Sequence, residues 1–250
     1  MFRPRIIPVL LLKNRALVKS VRFKNHKYIG DPVNAVSIFN NLRADELVFL
    51  DIEASRTKRL ISLDFVRRVG EETFMPFSVG GGITTLDDIR LLLAAGAEKV
   101  VINTHAGSEP EFIAKACDAF GSSTIVVCID VKKRIFKGER TWILNGSVAT
   151  RYTPVEFAQL MEQQGAGELI VQCIERDGTM QGYDLNLIRT VSSSVDVPVI
   201  ALGGAGSKED LVSAYRSGAN GLAAGSLFVF QDKRRGVLIN YPEKQEMSFE

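Results

Sequence analysis

The chain repeats its own pattern at an offset of about 122 residues, and this repetition restricts the possible folds more than any other feature of the sequence. Three pairs of segments show it: 78–83 with 201–206, 94–97 with 216–219, and 51–55 with 173–177. Glycines that recur by chance after strands would not keep a constant offset at three separate places. A unit of about half the chain, present twice, explains the pattern.

Short runs rich in Val, Ile and Leu alternate with stretches of helical spacing. The runs predict strands at 6–12, 47–51, 77–79, 99–102, 125–131, 169–173, 197–202 and 222–224. The stretches predict helices at 31–42, 86–95, 110–120, 154–164 and 208–217. A capping side chain or a proline opens each helix, at Asp31, Thr85, Ser108 to Pro110, Thr153 and Ser207.

Eight strands that alternate with about eight helices predict an α/β fold, a (βα)8 TIM barrel with an internal half-barrel repeat. A doubly wound open sheet is the alternative. We expect one domain over residues 1–250, with half-barrels at about 1–122 and 123–240.

Composition narrows the function classes. A net charge of +2, with lysines and arginines scattered among acids, gives no electrostatic case for nucleic acid. No apolar run approaches the roughly 18 residues of a membrane span, and we expect no signal peptide. Cys117, Cys128 and Cys173 fit neither a disulfide framework nor a metal knuckle, which predicts a reducing, cytoplasmic setting. His26 and His105 lack metal-ligand spacing, so we expect no metal and no cofactor.

Small or hydroxyl-bearing residues follow four of the predicted strands. The active site of a (βα)8 barrel lies at the carboxyl ends of its strands, where glycine lets backbone N–H groups approach an anion. The repeat predicts two phosphate sites on opposite sides of the mouth, and a ligand with a phosphate at each end. The candidates are Gly81, Gly82, Asn103 and Thr104 in the first site and Gly203, Gly204, Gly225 and Ser226 in the second. Alternatively, the glycines only allow tight turns.

Ionisable residues near these sites are candidates for proton transfer and binding. Counting by two along the strand places Asp130 and Cys128 inside the barrel, and a carboxylate there is costly unless it is hydrogen-bonded or functional. Asp51 and Asp177 also lie at the mouth, where they could act in catalysis or merely cap helices and form turns. Lys19 follows the first strand in a predicted loop and could either bind a phosphate or be solvated.

Four charges stand at the starts of strands, at the opposite end of the barrel. The same counting places Arg5, Lys99 and Glu168 on interior faces, and Glu46 precedes the second strand. These groups could close a mutually compensated ring. From spacing alone, solvated strand ends are the simpler interpretation.

Six motifs in order resemble the cyclase subunit of imidazole glycerol phosphate synthase, over nearly the whole chain to about residue 230. They are Arg-Ile-Ile-Pro (5–8), Asp-Glu-Leu-Val-Phe-Leu-Asp-Ile (45–52), Val-Gly-Gly-Gly-Ile (79–83), Lys-Val-Val-Ile-Asn-Thr (99–104), Arg-Asp-Gly-Thr with Gly-Tyr-Asp (176–184) and Gly-Gly-Ala-Gly (203–206).

The resemblance implies a (βα)8 barrel with two phosphate sites and a glutaminase docked at its bottom. Ammonia travels along the barrel axis and attacks a phosphorylated nucleotide at the mouth, where two aspartates act as general acid and base. By this resemblance, Asp130 is the second catalytic aspartate, and Lys19 and Asp177 belong to the substrate-binding set. Arg5, Glu46, Lys99 and Glu168 become the ammonia gate, which replaces the simpler interpretation of those charges.

The first catalytic aspartate of that family is absent. The family's first strand reads Ile-Ile-Pro-Cys-Leu-Asp-Val-Lys, whereas residues 6–13 read Ile-Ile-Pro-Val-Leu-Leu-Leu-Lys, so that Leu11 stands in its place. The repeat agrees, because the first strand aligned on the fifth sets Leu11 opposite Asp130. Loss of one general acid or base typically costs a factor of about 10² to 10⁴. Gln172 also departs, standing where the family carries a small hydroxyl residue.

Three functions therefore compete. The first is a glutaminase partner that conducts ammonia but makes imidazole glycerol phosphate poorly. Such a protein is similar to the second-copy cyclase-like proteins of surface-polysaccharide clusters. Those proteins relay ammonia to a separate ATP-dependent amidotransferase that builds acetamidino sugars. The second is an authentic cyclase subunit, a lyase of histidine biosynthesis. The third is an isomerase on a related doubled barrel without a glutaminase, which the charged gate disfavours.

Overall fold

Eight parallel strands and their connecting helices surround a common axis in the computed structural model, which describes residues 3–134, 138–231, 236–243 and 247–249. The strands are β1 (Arg5–Lys13), β2 (Ala16–Val21), β3 (Lys24–Gly30), β4 (Leu47–Asp51), β5 (Phe77–Gly80), β6 (Lys99–Ile102), β7 (Ile125–Arg134), β8 (Gly138–Ile143), β9 (Val148–Ala149), β10 (Glu168–Cys173), β11 (Val199–Leu202) and β12 (Gly221–Ala224). The helices are α1 (Pro32–Asn41), α2 (Leu63–Glu72), α3 (Leu86–Ala94), α4 (Thr104–Ser108), α5 (Glu111–Phe120), α6 (Pro154–Gln163), α7 (Leu185–Ser192) and α8 (Lys208–Arg216). Two short 3₁₀ turns lie at Ser122–Thr124 and Ser226–Phe228.

The parallel strands close into a barrel, which confirms the predicted (βα)8 fold. Their order around the axis is β1, β4, β5, β6, β7, β10, β11, β12 and back to β1. The open-sheet alternative is wrong, because β7 and β10 pair in parallel from Glu168 and Val126 to Cys173 and Val131. None of the helices in the described ranges is long and apolar enough to cross a bilayer.

Two antiparallel hairpins extend the barrel at its mouth and were not predicted. β2 and β3 fold back on the end of β1, while β8 and β9 fold back on the end of β7. Asn14 and Arg15 both have positive φ, as the tight turn between β1 and β2 requires. Lys19 therefore lies within a strand, and the expectation that it lies in a loop is wrong.

Apolar residues form two separate layers. β-Branched and other apolar side chains that point to the axis fill the barrel, namely Ile7, Val9, Val48, Val101, Val126, Cys128, Ile170, Ile200, Leu202 and Ala223. The alternate residues of the same strands pack against the helices in a larger cluster around Phe39, Phe49 and Leu92. The strands consequently present functional side chains only at their two ends.

Four of the helices begin with the side chain predicted to cap them. Asp31 accepts hydrogen bonds from the first turn of α1, and Thr85, Thr153 and Ser207 form capping boxes. The expected cap at Ser108 is wrong: this residue ends α4, and its hydroxyl donates to the carbonyl of Thr104 at 3.0 Å. The unit after β6 thus contains two helices instead of one.

Candidate functional site

A cavity of about 500 Å³ opens at the carboxyl ends of the strands. Leu11, Asp130 and Gln172 are among the residues that line it, and so is the first predicted phosphate set. The location is the one at which (βα)8 barrels bind ligands. One cavity therefore joins the candidate acid or base to a candidate anion site.

Leu11 and Asp130 face this cavity from opposite walls. Their strands, β1 and β7, stand four positions apart in the ring of eight. Leu11 pairs in register with Leu50, and both side chains pack on the barrel interior, so the wall opposite Asp130 is apolar. Among the described residues that line the cavity, the other carboxylates are already engaged: Asp51 accepts two bonds from Arg59, at 2.6 and 3.1 Å, and Asp88 caps α3.

Asp130 is suited to exchange a proton near neutral pH. Its residue is only 6% exposed, and burial raises the pKa of its carboxyl from 3.8 to about 7. The thiol of Cys128 donates to Oδ1 of Asp130 at 3.5 Å. Burial also raises the pKa of that thiol, so Cys128 remains neutral and acts here as a hydrogen-bond donor.

A polar network links Asp130 to the first hairpin. Gln172 pairs in register with Asp130 and lies near Asp177, whose Oδ2 accepts from the hydroxyl of Ser20 at 2.8 Å. Burial raises the pKa of Asp177. Burial also lowers the pKa of the Lys19 ammonium to about 8, an effect that the nearby Asp177 partly offsets. A cation and a carboxylate therefore interact electrostatically at the mouth.

The first candidate phosphate set lies at the ends of β5 and β6. Gly81 and Gly82 have positive φ, and a Cβ on Gly82 would overlap the carbonyl oxygen of Arg59. Asn103 directs its amide to the carbonyl of Cys128 at 2.9 Å, and Thr104 begins α4. The structure brings all four residues to one side of the cavity, and it also gives Gly82 a packing role.

The second candidate set lies at the ends of β11 and β12, across the barrel from the first. A Cβ on Gly204 would overlap the carbonyl oxygen of Gly182, so close packing of two loops requires glycine there. A Cβ on Gly225 would overlap the ammonium of Lys19, which donates to the carbonyl of Val9. Gly203 and Ser226 are buried beside them. Glycine at 225 therefore allows a lysine to reach this strand end, where a phosphate would need a cation.

At the other end of the barrel, the four predicted charges form a closed ring. Arg5 donates to Glu46 and, at 2.6 Å, to Oε1 of Glu168. Lys99 donates to the same oxygen of Glu168 at 3.0 Å and lies 3.9 Å from Oε2 of Glu46. Ser78 donates to the other Glu46 oxygen at 2.9 Å. Cations and carboxylates alternate around the axis, so each buried charge has a partner of opposite sign.

Comparison with known proteins agrees with this geometry. A family model described as "Histidine biosynthesis protein" matches residues 5–234. A protein of Pseudomonas aeruginosa, provisionally named imidazole glycerol phosphate synthase subunit hisF2, is 45% identical over 248 residues, which cover 99% of each chain. Relatives with provisional names of the same kind from Vibrio vulnificus and Leptospira interrogans are 42% and 41% identical, and each match covers at least 95% of both chains.

The chain belongs to the imidazole glycerol phosphate synthase cyclase-subunit family. This confirms the family recognised from the six motifs. Within the family fold, sequence reasoning named Asp130 at the mouth and the four charges Arg5, Glu46, Lys99 and Glu168 at the base. It missed Ser20, Arg59, Ser78 and Asn145.

Asn145 is the clearest omission. It lies in the turn between β8 and β9 and lines the cavity, and its amide donates to the carbonyl of Ile52 after β4. The second hairpin thus reaches over the cavity to another strand end. No strand period signals such a contact, although Asn145-Gly146 is a typical hairpin turn.

The described residues include no group of three or more His, Cys, Asp or Glu side chains that could hold a metal ion. The cysteines are unpaired thiols, with Cys128 and Cys173 buried and Cys117 half-buried.

Proposed function

We propose that this chain is a cyclase-subunit-like partner of a glutaminase that receives ammonia through the barrel and relays it, while its own cyclase chemistry is impaired. The observation that carries the proposal is the contrast between the two ends of the barrel. The charged ring at the base is complete, whereas Leu11 faces Asp130 across the mouth.

The apolar wall explains the impaired chemistry. Lyase and cyclisation steps need one group that gives a proton and one that takes it. Leucine supplies neither, and Asp51 is held by Arg59. With Asp130 alone, we expect the reaction to be slower than usual by a factor of about 10² to 10⁴.

The apolar interior of the barrel favours the passage of a neutral molecule over that of a cation. Above the ring the axis is lined by apolar side chains, including Ile7, Val101 and Ile170. Transfer of a cation into such a lining is costly, whereas ammonia is small and uncharged. A glutaminase docked at the base would release ammonia at the ring, which must open to admit it.

The acceptor in this proposal is a separate ATP-dependent sugar amidotransferase that builds acetamidino groups of a surface polysaccharide. The support is the likeness to second-copy cyclase-like proteins together with the apolar wall at Leu11. A phosphorylated small molecule would bind at the mouth, held by the backbone near Gly82 and by Lys19. The chain needs no cofactor for this work, and we place it in the cytoplasm.

Two measurements on the purified chain test the proposal. With the cyclase's nucleotide substrate and ammonium salt, we expect turnover about 10² to 10⁴ below that of a family member with both aspartates. In an affinity purification, we expect a glutaminase to co-purify and to hydrolyse glutamine faster in the complex. Normal cyclase turnover would refute the impaired chemistry, and the absence of any glutaminase would refute the partnership.

The second candidate function is an authentic cyclase subunit of histidine biosynthesis. The pKa of Asp130 near 7 favours it, since that carboxyl is poised for acid–base catalysis. Deletion of the gene discriminates the two candidates: a histidine requirement supports the authentic cyclase, and growth without histidine contradicts it.

A further inference from the structure

An aromatic ring stands in solvent at the base of the barrel on a rigid backbone. Phe74 is 91% exposed, between α2 and β5. Its N–H donates to Oδ1 of Asn40 at 3.0 Å, and the amide of Asn40 donates to the carbonyl of Glu72 at 2.7 Å. Thr73 closes the same turn by donating to the carbonyl of Met75 at 3.0 Å. Side-chain hydrogen bonds from Asn40 and Thr73 therefore fix the backbone of the turn, which presents the ring to solvent.

Arginines with unused hydrogen-bonding capacity border the same turn. Phe74 lines an open groove together with Arg3, Arg5 and Arg43. Nε and Nη2 of Arg3 are buried and have no hydrogen-bond partner among the described residues, since Nη2 lies 3.9 Å from Asp45. The side chain of Arg43 is exposed and makes no ion pair within the described part of the chain. Arg3 pairs with Asp45, and Arg5 pairs with Glu46 and Glu168 of the charged ring, so the unpaired positive charge of the groove comes from Arg43.

We propose that this groove is the specificity pocket for the glutaminase, and that it binds an apolar side chain next to a carboxylate on that partner. The inference rests on the proposed function, which puts a glutaminase at the base. Charge complementarity selects the carboxylate, because the exposed guanidinium of Arg43 has no ion-pair partner in the described part of the chain and would form charge-assisted hydrogen bonds with it. Aromatic and arginine side chains are also those that dominate binding energy at protein interfaces.

The groove is continuous with the charged ring. Arg5 lines the groove and also bonds Glu46 and Glu168 of the ring. A partner seated on Phe74 is thus in contact with the entrance through which ammonia must pass. A single exposed apolar residue is normal on a protein surface. Phe74 differs because it stands on a hydrogen-bonded turn, in one groove with Arg43, and next to the charged ring.

Isothermal titration calorimetry with the co-purified glutaminase tests the pocket. The glutaminase is identified by its hydrolysis of glutamine. We expect Phe74→Ala to weaken binding by a factor of about 10 or more, and Arg43→Glu to do the same. Added salt should weaken the wild-type complex more than the Arg43→Glu complex, because the variant has lost the attraction that salt screens. Leu91→Ala and Arg90→Glu, on the exposed face of α3, are matched controls that should bind like the wild type.

Each result has one meaning. If the wild type binds the glutaminase and the two groove variants bind it equally well, the pocket is refuted while the proposed function stands. If the wild type binds no glutaminase, the proposed function falls and the pocket falls with it. If sedimentation shows that the wild type self-associates and Phe74→Ala does not, the groove meets a second copy and the glutaminase assignment is wrong. Thermal melting checks folding, and we expect no change for a side chain as exposed as Phe74.

Discussion

At the scale of single residues, Leu11 sets how much proton transfer the mouth can perform. In Leu11→Asp, a carboxylate would face Asp130 across the cavity and restore an acid–base pair. We expect turnover of the cyclase's nucleotide substrate with saturating ammonium to rise by a factor of about 10² or more. Leu11→Asn has nearly the same shape but cannot transfer a proton. An equal rise in both variants would mean that polarity, not acid–base chemistry, limits the rate.

Asp130 should make the free energy of unfolding depend on pH. Its pKa near 7 in the folded state lies above the ordinary value of 3.8, so the folded chain holds this proton more tightly than the unfolded chain does. Stability therefore falls as pH rises from about 4 to about 7, and this contribution is constant above that window. Asp130→Asn escapes the loss, and its advantage over the wild type should grow across the window by a few kcal/mol. Urea unfolding at several pH values measures it, and an advantage that shrinks as pH rises would contradict the burial of a charged Asp130.

At the scale of elements, the loop after β4 packs closely against the residues that follow β5. A Cβ on Gly82 would overlap the carbonyl oxygen of Arg59 at a positive φ of 71°. Gly138 has a similar φ of 67°, but a Cβ there would meet nothing within 4 Å. We expect Gly138→Ala to cost about 1 kcal/mol from backbone strain and Gly82→Ala to cost several kcal/mol. Equal costs in denaturant unfolding would show that the loop moves aside freely.

The elements also show why sequence reasoning succeeds for the barrel and fails for its additions. The strands at 47–51 and 99–102 were predicted with the observed bounds, because a buried parallel strand is a short apolar run that needs no partner to be recognised. The hairpin strand β3, Lys-Asn-His-Lys-Tyr-Ile-Gly, is polar and mostly exposed, so no apolar period marks it. Strand period placed Asp130 on the barrel interior, and the family resemblance supplied the ring of charges. Ser20, Arg59 and Asn145 instead depend on how hairpins and loops fold back over the mouth.

At the scale of the whole molecule, the two hairpins support the single domain of two half-barrels that we propose. One follows β1 and the other follows β7, which are the first strands of the two halves. Each half also supplies one candidate phosphate set. Arg5, with the nearby Glu46 and with Lys99, comes from the first half, and Glu168 alone from the second, so the ring is less symmetric than the mouth.

The ring joins strand ends from around the barrel, so the loss of one of its charges should destabilise the whole molecule. In Arg5→Met, Glu46 and Glu168 would keep only Lys99 as a cationic partner among the described residues. Since the Arg5 side chain is 30% exposed, we expect the free energy of unfolding at neutral pH to fall by about 1 to 3 kcal/mol, less than for a fully buried pair. Adding Glu168→Gln to Arg5→Met should recover part of the loss in denaturant unfolding, because one unpaired charge is gone. No recovery in the double variant would show that Arg5 stabilises the base by packing and not by charge.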